Sequence, residues 1–89
     1  MPELSRFYGL VIRMFAEAGG RHYQPHFHVV SGDGEAVFAI EDLAVLAGTL
    51  PARERRLVEA WAELHRVELM ENWLRLQAGG RVAPIAPLH

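Results

Sequence analysis

Cysteine is absent from these 89 residues. That excludes a disulfide framework and any thiolate zinc site, and it permits a reducing compartment. Lysine is absent too: all nine basic residues are arginine. The bias fits a GC-rich genome better than a demand for bidentate ion pairing. Basic charge is in short supply overall, with a formal net charge of −2 and a sequence pI near 6.2. A strong phosphate-backbone binder draws its affinity from clustered cations, so nucleic acid is not the expected partner. No apolar run approaches the ~20 residues that span a bilayer. The opening "MPELSRFYGL", with Glu3 and Arg6, has neither a long apolar core nor a small-residue cleavage site. The expectation is a cytoplasmic protein with no signal peptide and no membrane segment.

Hydrophobic residues make up 51% of the chain and charged residues 22%, an ordinary balance for a folded domain. A chain this short buries roughly 60–70% of its unfolded surface, enough for one core. Residues 1–89 are therefore read as a single domain.

The stretch "FYGLVIRMF" (7–15) is rich in β-branched and aromatic residues. Its even positions Tyr8, Leu10, Ile12 and Met14 are apolar, while the odd ones include Gly9 and Arg13, which predicts one strand with one buried face. Gly19, Gly20 and Pro25 mark the following segment as a loop. Residues 26–31 alternate, Phe27 and Val29 against His26, His28 and Val30, as a half-buried strand does. "GDG" at 32–34 predicts a hairpin turn built on positive φ. A third strand follows at 35–40, then a tight turn at "EDL" and a short edge strand at 44–47.

Thr49 and Pro51 announce a helix, Thr49 as its cap. From Ala52 to Ala78 there is neither Gly nor Pro, and Gly79-Gly80 supplies a stop. Within that span the apolar stripe changes sides. Leu57, Ala60, Trp61, Leu64 and Val67 share one face, whereas Leu69, Met70, Trp73 and Leu76 centre on the opposite one. Either the helix bends near residues 65–68 or its second half buries its other side against the tail or another chain. The tail (81–89) is expected to be extended, since Pro84 and Pro87 cannot continue a helix, with Ile85 and Leu88 as anchors. The layout is α+β: a three- to four-stranded antiparallel meander followed by a long or bent C-terminal helix pair on one face.

Four blocks, "MPELSRFYGLVIRMF", "PHFHV", "LPARERRLVEAWAELHRVELMENW" and "PIAPL", together resemble, in the same order, the bacterial domain-of-unknown-function family 4160. The chain resembles that family over nearly its whole length. The family usually carries two prolines before the histidine block, where this chain has Gln24 and Pro25. The loop "EAGGRHYQ" also differs, so only His26 and His28 match, and His22 does not. The resemblance implies no settled activity. It does imply a genomic setting: family members often lie beside another small family, number 2442, in a toxin–antitoxin-like arrangement.

Three of the five histidines fall within positions 22–28. On a strand, His26 and His28 point the same way and can share a metal ion. A zinc site then wants one or two further ligands, with Glu35 or His22 as the available sources. Alternatively, the pair beside Arg13 supplies a base, an acid and a phosphate clamp for a small nuclease. The plainer reading is two histidines on the wet face of a strand. We expect no cofactor, and an interaction protein rather than an enzyme. The catalytic candidates, were it an enzyme, are His26, His28, Arg13 and Glu35, and the metal candidates are His26 and His28.

The rotated apolar face assigns partner binding to Trp73, Met70, Leu69 and Leu76. It predicts a homodimer, with a 2442-like neighbour as a possible second partner. Arg6 and Arg13 are expected to pair with Glu35 or Glu41. Arg53, Arg55 and Arg56 form the one basic cluster, and Glu63, Glu68 and Glu71 a solvated helix face.

Overall fold

The computed structural model describes residues 3–16 and 24–89. Five strands form one antiparallel sheet in sequence order: β1 (Glu3–Phe7), β2 (Leu10–Arg13), β3 (His26–Ser31), β4 (Gly34–Ala39) and β5 (Val45–Thr49). Two helices follow, α1 (Ala52–Leu64) and α2 (Arg66–Gln77). The α+β class is as expected, with more strands than predicted.

The extra strand comes from the first apolar stretch. It is not one strand but a hairpin, because Tyr8 and Gly9 both adopt positive φ (49° and 78°) and reverse the chain. Two successive left-handed residues match the right-handed twist of the flanking strands. The aromatic character of Tyr8 hid the turn, yet its side chain is 58% exposed. Leu10, Ile12 and Met14 keep their predicted parity and are fully buried.

The 32–34 turn also differs. Positive φ is found at Gly9, Gly48 and Gly79 among the described glycines, and not at Gly32. Instead the Ser31 hydroxyl accepts the Asp33 N–H (3.1 Å), a side-chain substitute for a backbone turn bond. At the next turn, Asp42 Oδ1 accepts the Ala44 N–H at 3.0 Å. Thr49 is not a helix cap but the last residue of β5, and Pro51 occupies the cap position of α1 without a side-chain bond.

The core lies under one sheet face, where Phe27, Val29, Ala36, Phe38, Leu10 and Ile12 meet Val58, Trp61 and Ala62 of α1. The buried stripe of α1 is therefore rotated from the predicted one: Leu64 and Ala60 face outward. Trp61 packs against Phe7 with ring centroids 5.4 Å apart and against Phe27 at 6.2 Å.

The helix breaks at His65 (φ −119°, ψ 24°), whose N–H reaches back to the Trp61 and Ala62 carbonyls while its own carbonyl accepts from Leu69. Its Nδ1 lies 2.6 Å from Glu68 Oε1, one turn into α2. Glu68 is thus tied to the break rather than part of a purely solvated face. The bend turns the second stripe back toward the domain, where the tail covers it. The tail runs to β1, and the Ile85 N–H donates to the Leu4 carbonyl at 2.8 Å. Trp61 Nε1 donates to the Ala86 carbonyl, also at 2.8 Å.

Candidate functional site

The ladder fixes which side chains can act together. Arg13 on β2 stands directly opposite His28 on β3, and His28 in turn opposite Val37 on β4. His26, two residues back on the same strand face, stands opposite Ala39. Its ring is 4% exposed and its Nδ1 lies 2.8 Å from the Gln24 carbonyl. A carbonyl can only accept, so Nδ1 carries the hydrogen in this contact.

Four rings run in file across this end of the sheet. Phe15 meets His28 edge-on at 4.8 Å, His28 lies 5.4 Å from His26, and His26 lies 5.0 Å from Trp73 of α2. The two histidines are thus sandwiched between Phe15, just past β2, and Trp73 of α2, which fixes their orientation. Phe15 and Trp73 were not assigned to this cluster from the sequence. Phe15 is an odd-numbered partner of Arg13 on the histidine side, a parity that was available.

Arg13 does not pair with Glu35 or Glu41. Its Nε is buried and has no hydrogen-bond partner among the described residues. Arg6 pairs with Glu3 instead (2.7 Å, exposed). The hydrogen bond from Arg6 holds the Glu3 carboxyl below the usual carboxylate range, with smaller help from the charges of Arg6 and Arg13. The same pairing raises the Arg6 guanidinium.

Glu35 does not converge on the histidines. It stands opposite Val30 and Thr49 and is exposed. At about 3.4 Å per residue, it lies roughly 7 Å along the ladder from the partner of His28, away from His26. Among the described residues, no group of three His, Cys, Asp or Glu side chains can hold a metal ion. His22 lies outside the described residues. Three of the four catalytic candidates are therefore neighbours, and the metal arrangement lacks its third ligand among the described side chains.

The residues assigned to partner binding are mostly enclosed. Leu69 is fully buried, Trp73 is 7% exposed, and Met70 and Leu76 are half-buried against the core. Trp73 lies against His26 and the adjacent Asn72 is bonded to Ala83 of the tail, so the apolar face that implied a homodimer is not open. The exposed aliphatic side chains lie elsewhere on the helices: Leu64 (72%), Val67 (72%) and Leu74 (60%). Among the described residues, no helix is long and apolar enough to cross a membrane.

A five-stranded meander with a bent helix pair and a histidine pair held between aromatic rings defines a small α+β domain. The chain belongs to the family described as Domain of unknown function (DUF4160), whose family model matches residues 9–74. The match takes in the histidine pair, Arg13 and both helices up to Leu74. No curated protein and no solved structure gave a match to the chain.

Proposed function

We propose that this is a bacterial, cytoplasmic interaction protein, one component of a two-gene toxin–antitoxin-like module whose other product is a 2442-like protein. The observation in its favour is the aliphatic stripe on the helices. Leu64 ends α1, and Val67 and Leu74 stand seven apart on one face of α2, each at least 60% exposed. Burying such a side chain is worth about 1.5–3 kcal/mol, and contiguous exposed apolar patches mark partner sites. Arg66, Glu63, Glu71 and Arg75 surround the stripe with polar groups, the rim an interface needs.

Co-expression with the neighbouring gene product, followed by size-exclusion with light scattering, tests the reading. The wild type should co-elute, whereas Leu64→Glu with Val67→Glu should lose the complex and keep its melting temperature. Two products that never co-elute would sink it.

A second reading rests on Arg13, His28 and His26 being neighbours. In it the cluster cleaves RNA without metal, with the histidines moving protons and Arg13 holding phosphate. Induced expression should then slow growth, and His28→Ala should abolish the effect. Equal growth of both strains removes this reading.

A further inference from the structure

We propose that β5 is a self-association edge, pairing antiparallel with β5 of a second copy about a two-fold axis near Ala47 and joining two sheets into one of ten strands. The two sheet edges are treated differently. Beyond β1 lies the tail, bonded through Ile85 to Leu4. Beyond β5 no described strand follows, and all five of its residues are exposed, Val45 and Leu46 with large apolar side chains.

Natural edge strands are usually guarded by lysine, proline or inward charge. "VLAGT" has none of these. Its irregularities are the register shift at Leu46, opposite the Val37–Phe38 step, and the positive φ of Gly48. A bulge of this kind adds twist and keeps the new pairing short, without putting charge on the edge.

Charge decides the occupant. At the head of β5 stand exposed Glu41 and Asp42, and just past its foot stand exposed Arg53, Arg55 and Arg56. A two-fold antiparallel pairing lays the head of one strand beside the foot of the other. It therefore brings the acidic turn of each copy to the basic helix start of its mate, twice. A parallel pairing would set acid against acid and base against base. The strand itself presents no charge to its own image, so no like-charge pair opposes it. A second copy of this chain satisfies the edge and both ends at once.

The test uses the chain's lack of cysteine. In purified protein alone, Ala47→Cys should cross-link to a disulfide dimer under oxidised glutathione. Residues facing across an antiparallel pair sit within disulfide reach. Val67→Cys, on the helical stripe, should form no cross-link. Sedimentation across a concentration series should show a reversible wild-type dimer that salt weakens. Ala47→Lys should raise its dissociation constant at least fivefold, the equivalent of ~1 kcal/mol for opposed like charges. Glu41→Arg should weaken the dimer, and adding Arg53→Glu should restore it. Circular dichroism and melting of each variant confirm that the fold is kept. A wild type that stays monomeric at all concentrations overturns the proposal. So does a dimer that Val67→Cys cross-links and Ala47→Cys does not, or a double charge reversal that fails to rescue.

Discussion

Asn72 and Ala83 exchange two hydrogen bonds: the Ala83 N–H donates to Asn72 Oδ1 at 2.6 Å, and Asn72 Nδ2 donates to the Ala83 carbonyl at 3.0 Å. A primary amide here imitates the edge of a strand and holds the tail in its place. Arg75 Nη1 also donates to Asn72 Oδ1, at 3.2 Å. Asn72 is almost fully buried, so Asn72→Ala should cost about 2–3 kcal/mol in urea unfolding. The Ile85 amide should also exchange its hydrogen faster. Unchanged exchange at Ile85 would show that the tail is held by something else.

Trp73→Ala should act on stability rather than assembly. The ring lies against His26 and is 7% exposed, so truncation leaves a cavity costing about 3–5 kcal/mol. The melting temperature should fall and the elution volume at fixed concentration should not move. A change of oligomeric state in this variant would return the interface to the rotated stripe.

Gly48 and Gly9 should respond differently to alanine. Both have positive φ, but a Cβ at Gly9 meets nothing within 4 Å, while one at Gly48 would clash with the Glu35 carbonyl oxygen. Gly9→Ala should cost about 1 kcal/mol for its backbone alone. Gly48→Ala should cost more than about 2 kcal/mol and loosen β5 from β4, because clash is added to strain. Amide exchange along β5 reads the difference, and equal effects of the two variants would refute it.

Among the described residues, the carboxyl with a resolved shift is that of Glu3, paired with Arg6. Its folded pKa is depressed, chiefly by the Arg6 hydrogen bond. Its contribution is therefore present above the unfolded pKa and is lost as pH falls through the folded one. The pair is exposed, so the effect is small and screened by salt. Glu3→Gln should track the wild type in strong acid and fall slightly below it at neutral pH. A carboxyl titration by NMR should place Glu3 below the ordinary glutamate range.

Much of the sheet was legible because alternation is enforced wherever one face is buried. Leu10, Ile12, Met14, Phe27 and Val29 all fall on the predicted side. The break at His65 was legible as a stripe that changes phase. The Tyr8-Gly9 hairpin was not, since an aromatic in a turn looks like an aromatic in a strand until its φ is known. Of the candidate site, parity gave the shared face of His26, His28 and Arg13. It could not give Trp73, whose place beside His26 depends on the bend, nor exclude Glu35, whose displacement depends on hairpin register. The cover over Leu69 and Trp73 was visible only as an alternative, because the Asn72–Ala83 pairing leaves no periodic trace.

Every strand in the sheet pairs with its neighbour in sequence, and the longest stretch that a ladder must close is residues 14–25, between β2 and β3. The Leu4–Ile85 bond is the exception, joining opposite ends of the chain. Such a contact forms late, after the sheet has already repaid the entropy of bringing the ends together. Loosening it, by Asn72→Ala or Ile85→Ala, should speed unfolding and leave refolding rates nearly untouched. How fast the protein folds and how long it stays folded are governed by different segments of the chain.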